Sequence, residues 1–274
     1  MLLVLGGIVS VQLGAAVATG LFDEAGPAGT VFLRVGFAAL VLVAIWRPRL
    51  SGVAGDRLRE VAAFGFVLAA MNLSFYAALD RIPLGIAVTL EFVGPLAVAI
   101  GASRRRSDLI WVALAAVGIL LLSPAPGDSL SAAGAGFALL AGGFWGAYIL
   151  LSARVGATMP GGGGLALAMA FGTMLLIPAG VARAGDIADP AVLGAGFAIA
   201  VLSSAIPYSL ELEALRRLAR GTFGVMMSLE PAVAATVGFI VLGQDLTARE
   251  LIAIALVVAA SAGALRSAPP AAEA

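Results

Sequence analysis

The chain contains no cysteine and no histidine, and every one of its 16 basic residues is arginine. Without thiols or imidazoles it has no disulfides, no thiolate or imidazole metal site, and no Cys- or His-based catalysis. Charge is scarce as well. Only 12% of the 274 residues are charged and they sum to zero, so nothing suggests a nucleic-acid partner. No cofactor or metal is expected.

What fills the chain instead is apolar. Hydrophobic residues make up 61% of it, and its mean hydropathy is +1.08, far from the roughly half-apolar, quarter-charged balance of soluble domains. It reads as an all-α integral membrane protein. Loops rich in charge, Pro or Gly divide it into ten apolar segments at 2–21, 28–46, 60–79, 83–102, 108–123, 132–152, 163–182, 191–214, 221–242 and 247–265. Ten helices of about 20 residues use about 200 residues and leave no room for a soluble domain. The first apolar stretch runs on to about residue 20 with no basic leader, too long for a signal-peptide core, and is read as a span. All-Arg basic usage together with abundant Ala and Gly reads as GC-rich bacterial coding.

Arginine placement orients the spans, because short cytoplasmic loops retain positive charge. With the N-terminus inside, the inner loops and tail hold Arg47, Arg49, Arg57, Arg59, Arg104, Arg105, Arg106, Arg154, Arg216, Arg217, Arg220 and Arg266. The outer loops hold only Arg81, Arg183 and Arg249, and Arg34 lies within a span. Both termini are therefore expected in the cytoplasm.

A shift of 136 residues aligns the chain with itself: Gly6-Gly7 with Gly142-Gly143, Gly36 with Gly172, Leu79 with Leu215, Arg81 with Arg217, Gly85 with Gly221 and Pro95 with Pro231. The repeat divides the chain into five-helix halves, 1–130 and 131–266, followed by a disordered cytoplasmic tail, 267–274. An odd number of spans inserts the second half from the opposite side, so the expectation is ten transmembrane helices in two inverted repeats, an architecture of secondary transporters.

Charges within spans are few. A charged residue at the centre of a membrane helix costs roughly 2.5–3.5 kcal/mol, so each needs a partner, a wet cavity or neutralisation. Glu91 follows Pro83 by eight residues, about 12 Å along a helix and near the middle of a core about 30 Å thick. Arg34 follows Pro27 by seven in a span of the same direction, so the two can pair. Glu230 approaches the midplane from the other side, in the fourth helix of the second repeat. The acids are not strictly equivalent, since Glu91 precedes Pro95 by four residues and Glu230 precedes Pro231 by one. Each proline frees a backbone carbonyl and bends its helix. Glu91 and Glu230 are the candidate substrate or proton sites, and the plain alternative is a salt bridge or a protonated Glu holding helices together. Arg34 reads as a structural anchor. Glu211 and Glu213 read as cytoplasmic-end residues beside Arg216 and Arg217.

Further polar groups within spans are Gln12, Asn72, Ser74, Tyr76, Tyr148, Ser203, Ser204, Tyr208 and Ser209, with Trp145 as an aromatic wall. Gln12 and Tyr148 are repeat mates, as are Asn72 and Tyr208. Gln12, Asn72, Tyr76, Trp145, Tyr148, Ser204 and Tyr208 join the two acids as candidate binding residues; their alternative is helix-to-helix bonding.

Four stretches carry a family likeness: "PLGIAVTLEFVGPLAVAI" at 83–100, "GGFWGAYILLS" at 142–152, "IPYSLELEALRRL" at 206–218 and "RGTFGVMMSLEPAVAA" at 220–235. They resemble the EamA family of the drug/metabolite transporter superfamily, most of all its threonine/homoserine exporter branch. The resemblance implies ten helices in two inverted halves, a bacterial inner-membrane location and efflux of small metabolites such as neutral amino acids by proton exchange. Import, or a drug or other metabolite as substrate, remains open from sequence, as does a monomer or homodimer. An enzyme is not expected, since no paired Asp motif lies within the spans. A channel has little use for a buried acid in each half.

The orientation is checked with reporters fused after Ala274. A C-terminal fluorescent protein is expected to fluoresce and a C-terminal alkaline phosphatase to stay inactive; the opposite pair of results would reverse the topology.

Overall fold

A computed structural model of the chain describes residues 2–48, 55–102, 109–122, 130–159, 161–207, 210, 214 and 220–267. The described residues are helical with short connections. The helices are α1 (Leu2–Thr19), α2 (Phe22–Trp46), α3 (Gly55–Leu79), α4 (Leu84–Glu91), α5 (Val93–Ala102), α6 (Leu109–Leu122), α7 (Ala132–Thr158), α8 (Gly163–Ala182), α9 (Ala184–Ile187), α10 (Pro190–Ala200), a π-helical turn (Val201–Ala205), α11 (Arg220–Met227), α12 (Glu230–Leu242) and α13 (Ala248–Ser267).

Among the described residues, six segments are long and apolar enough to cross a membrane: Leu2–Thr19, Phe22–Trp46, Gly55–Leu79, Ala132–Thr158, Gly163–Ala182 and Val225–Leu242. Three shorter apolar stretches accompany them, Leu84–Val98, Leu109–Leu122 and Pro190–Ala205. The protein is thus a multi-pass, all-helical membrane protein. Its outer surface is apolar, with Leu2, Leu40, Ile45, Leu120, Met174, Val181, Phe239 and Ile240 exposed, while much of the interior is Ala, Gly and a few polar side chains. A bilayer selects that distribution, since lipid tails accept large apolar groups and small residues let helix backbones approach.

The spans expected at 83–102 and 221–242 are each two helices. Pro95 lacks the N–H that would bond the carbonyl of Glu91, four residues earlier, and α4 ends there. Pro231 stands in the same relation to Met227, the last residue of α11. The span expected at 191–214 also departs from a plain helix, passing into the π-helical turn at Val201–Ala205; much of its remainder, with Tyr208, Ser209, Glu211 and Glu213, lies outside the described residues, as do Arg216 and Arg217.

Side-chain caps mark the starts of α10 and α13. Asp189 accepts the N–H of Ala191 (2.7 Å) ahead of Pro190 in α10. Thr247 and Glu250 form a reciprocal capping box on α13, with the Thr247 N–H donating to Glu250 (2.7 Å) and the Glu250 N–H to the Thr247 hydroxyl (3.3 Å).

Helices from early and late in the chain interleave. α1 packs on α11, α12, α10 and the π turn, while α7 packs on α3, α4 and α5. α2 meets α8 and α10, α3 meets α8, α4 meets α12 and α6 meets α13. The closest approach is between α7 and the α4–α5 break. A Cβ on Gly94 would collide with the Gly142 carbonyl, and one on Gly142 would lie 2.5 Å from the Glu91 carbonyl oxygen. Gly142 is the residue that lets α7 seal the broken turn.

Gly142→Ala is expected to cost about 1–3 kcal/mol through overpacking, lowering the thermal unfolding temperature in detergent. Gly143→Ala meets open space and is expected to leave that temperature unchanged or raise it. Equal behaviour of the two variants would contradict the packing.

Candidate functional site

The two proline-induced breaks place the two acids at opposite kinds of helix end. Glu91 is the last residue of α4, whereas Glu230 is the first residue of α12, with Pro231 in its opening turn. The three-residue offset seen in the sequence thus decides which side of the break each acid occupies. Helix dipoles give the C-terminal end of α4 negative character and the N-terminal end of α12 positive character, effects worth about 0.3–1 kcal/mol and up to ~2 kcal/mol where partly buried. Around Glu91 helix end and carboxylate both attract a cation. Around Glu230 the helix end partly offsets the carboxylate.

Both acids are buried, Glu91 at 8% exposure and Glu230 at 7%, and both line one internal cavity of about 210 Å³. Drug-sized pockets run roughly 300–1,000 Å³, so this one suits a small metabolite. Its walls come from α1 (Val11, Gln12, Ala15), α2 (Arg34), α3 (Met71, Asn72, Phe75), α4 (Val88, Glu91), α7 (Trp145, Tyr148), the π turn (Ser203) with Pro207 beyond it, and the second broken span (Met227, Glu230). Larger grooves of about 520 and 670 Å³ lie elsewhere, lined mainly by apolar side chains and including Leu40, Phe239 and Leu251 of the exposed apolar surface; they face lipid rather than chemistry.

Of the residues nominated from sequence, Gln12, Arg34, Asn72, Glu91, Trp145, Tyr148 and Glu230 meet at this cavity. Gln12, 1% exposed, donates its side-chain N–H to Glu230 Oε1 at 3.2 Å. Its own Oε1 and the Ser203 hydroxyl are buried without a hydrogen-bond partner among the described residues. Asn72 donates to the Leu68 carbonyl of its own helix at 2.9 Å, which uses one of its two amide hydrogens. Trp145 stands edge-on to Phe92, the residue between α4 and α5, with ring centroids 5.3 Å apart. Tyr148 packs on Phe64 at 5.3 Å.

Other nominations are placed differently. Tyr76 is fully buried and stands behind Arg34 rather than on the cavity wall; the Arg34 guanidinium donates to its hydroxyl at 3.2 Å and lies 5.5 Å from its ring centroid. Arg34 does not form the expected ion pair with Glu91, although both line the cavity. Ion pairs among the described residues, Arg59 with Asp56, Arg81 with Asp80 and Arg183 with Asp186, lie near helix ends instead. Ser204 is buried but off the cavity, and Ser203 takes the position. Both serines lie within the π turn, where adjacent residues face different directions. Tyr208 lies outside the described residues. Pro95 and Pro231 act through the breaks.

Sequence reasoning missed Met71, Phe75, Val88 and Met227. Their apolar side chains leave no signal within an apolar span, but helical spacing marks three of them: Phe75, Val88 and Met227 stand three residues from Asn72, Glu91 and Glu230 respectively.

Comparison with known proteins adds an independent line. The EamA-like transporter family profile matches residues 132–266. The threonine/homoserine exporter RhtA of Salmonella typhimurium is 42% identical over 257 residues, covering 93% of this chain and 87% of that protein. The exporter of the same name from Escherichia coli K12 is 40% identical over 259 residues, with 93% and 88% covered. A protein of known crystal structure aligns over 97% of both chains at a TM-score of 0.58 and 17% identity, which shows a shared fold and nothing further. The chain is therefore a membrane transporter rather than an enzyme, and it belongs to the EamA-like transporter family.

Proposed function

We propose that this protein exports small neutral amino acids of the threonine/homoserine type across the bacterial inner membrane, by proton antiport with alternating access. The observation that carries the reading is the pair of buried carboxylates, each at a helix break, on one cavity of about 210 Å³. The names of the RhtA relatives supply the substrate class.

Glu91 takes the central role. At the C-terminal end of α4, its carboxylate and the adjacent backbone carbonyls form an acceptor set for either an ammonium group or a proton. From the cytoplasmic side the deprotonated carboxylate binds the substrate ammonium. After the cavity reopens outward, a proton takes the carboxylate and the amino acid leaves. Because proton and ammonium exclude each other on one group, inward proton movement is coupled to export. Glu230, held by Gln12 and by the start of α12, keeps the second wall polar and tunes the first acid. Gln12, Asn72, Trp145 and Tyr148 orient the bound molecule, Ser204 and Tyr76 support the walls, and Tyr208 is a further candidate substrate contact.

The alternating motion rests on two inverted five-helix halves, 1–130 and 131–266, with 267–274 as a cytoplasmic tail and both ends inside. Packing supports this division. The first helix of each half lies on the broken fourth span of the other, α1 on α11 and α12, α7 on α4 and α5. Second helices meet each other, α2 with α8, as do fourth, α4 with α12, and fifth, α6 with α13. The break at Phe92 also maps onto Ser228 under the 136-residue shift. Such exchange lets the halves trade conformations around a fixed midplane site.

Efflux of preloaded labelled threonine from proteoliposomes under an imposed pH gradient is the test. Glu91→Gln is expected to reduce gradient-driven efflux at least thirtyfold, the scale for losing one partner of a buried charge pair, and Glu230→Gln to reduce it about tenfold. Gradient-dependent efflux retained in both variants would end the proton-coupling reading. Absence of threonine and homoserine flux in the unaltered protein would end the substrate assignment.

A further inference from the structure

Arg34 is an intramembrane cation whose surroundings are not those of an anchor. Its guanidinium carries five N–H donors, and its one hydrogen bond to a described residue is to the hydroxyl of Tyr76, at 3.2 Å. Its carbon stands 5.5 Å from the centroid of the same ring. Tyr76 is fixed in turn, fully buried and packed against Phe22 at 5.7 Å and Phe75 at 6.1 Å. The cation is thus held by a neutral aromatic, and it forms no ion pair with a described carboxylate even though Glu91 and Glu230 share its cavity. A charge whose role was only to anchor helices would be expected to meet one of those carboxylates directly, because a low-dielectric interior rewards close pairing of opposite charges.

Keeping cation and anion apart on one small cavity leaves a dipolar site. We infer that Arg34 binds the α-carboxylate of the transported amino acid, opposite the Glu91 that takes its ammonium group, so that recognition is of the zwitterion rather than of an amine alone. This assignment rests on the proposed function and deepens it. A guanidinium is suited to the task, since its planar fork meets a carboxylate with two parallel hydrogen bonds. The Tyr76 hydroxyl and ring fix one side of the guanidinium and leave its remaining donors for the substrate. Substrate then supplies the counter-ion that the described side chains do not, and a bare amine leaves Arg34 without one.

The test is competition against labelled threonine exchange in proteoliposomes, comparing unlabelled L-threonine with L-threoninol, in which the carboxylate is reduced to a neutral CH₂OH. In the unaltered protein threoninol is expected to compete at least about thirtyfold less well, the scale for removing one member of a desolvated charge pair. In Arg34→Gln the threonine advantage collapses to a few-fold, because threonine loses its partner and threoninol had none. Arg34→Lys keeps the charge without the fork and is expected to narrow the gap without closing it, and it serves if Arg34→Gln does not accumulate in the membrane. Equal competition in the unaltered protein overturns the assignment while leaving amino-acid transport standing. So does a gap that persists undiminished in the variants, the result a merely structural Arg34 would give. If the unaltered protein exchanges no amino acid, the proposed function fails first and this assignment with it.

Discussion

Two carboxylates and one guanidinium sit inside a structure otherwise built to exclude charge, and the rest of the site follows from accommodating the two acids. Each ionised group at membrane depth carries a penalty of several kcal/mol unless it is solvated by dipoles, hydrogen bonds or opposite charge. The protein meets this with broken helices. Pro95 and Pro231 each remove one backbone donor, and the helix ends nearby give Glu91 a C-terminal and Glu230 an N-terminal position. Gln12 adds a donor to Glu230. Glycine at 142 lets α7 close over the freed Glu91 carbonyl, so the break is covered by protein rather than lipid.

The same breaks make the site asymmetric. Pro95 and Pro231 stand near the two breaks, but one acid lies before its break and the other after it. A strictly symmetric pair would give two interchangeable sites. Here Glu91 faces a negative helix end and attracts a cation, while Glu230 has a donor and a positive end to satisfy it. This asymmetry between the two acids comes from a displacement of three residues along the chain. Arg34, held by Tyr76 rather than by either acid, completes a cavity with separated charges.

Much of this was legible in the sequence for physical reasons. An acid or amide in an apolar span is conspicuous, which is why Gln12, Asn72, Glu91 and Glu230 were found, and their meeting at one cavity follows from similar depth in different helices. Proline positions announced the breaks. What stayed hidden was direction and phase. Depth placed Arg34 level with Glu91 but could not say that it would turn to Tyr76, because lateral contacts depend on which helices neighbour one another. Ser203 and Ser204 are adjacent and chemically identical, so the sequence gives no means of telling which one faces the cavity. Met71, Phe75, Val88 and Met227 are apolar among apolar neighbours, and only their spacing from a polar landmark marks three of the four.

The central claim is that proton and substrate ammonium exclude each other on Glu91. The most direct measurement is the proton balance of binding itself, with threonine added to purified protein in weakly buffered detergent and the pH followed. Repeated over a series of starting pH values, it is predicted to show protons released on amino-acid binding wherever Glu91 starts protonated, up to one per amino acid, and their loss in Glu91→Gln. Saturable threonine binding with no proton release at any starting pH in the unaltered protein would contradict the claim.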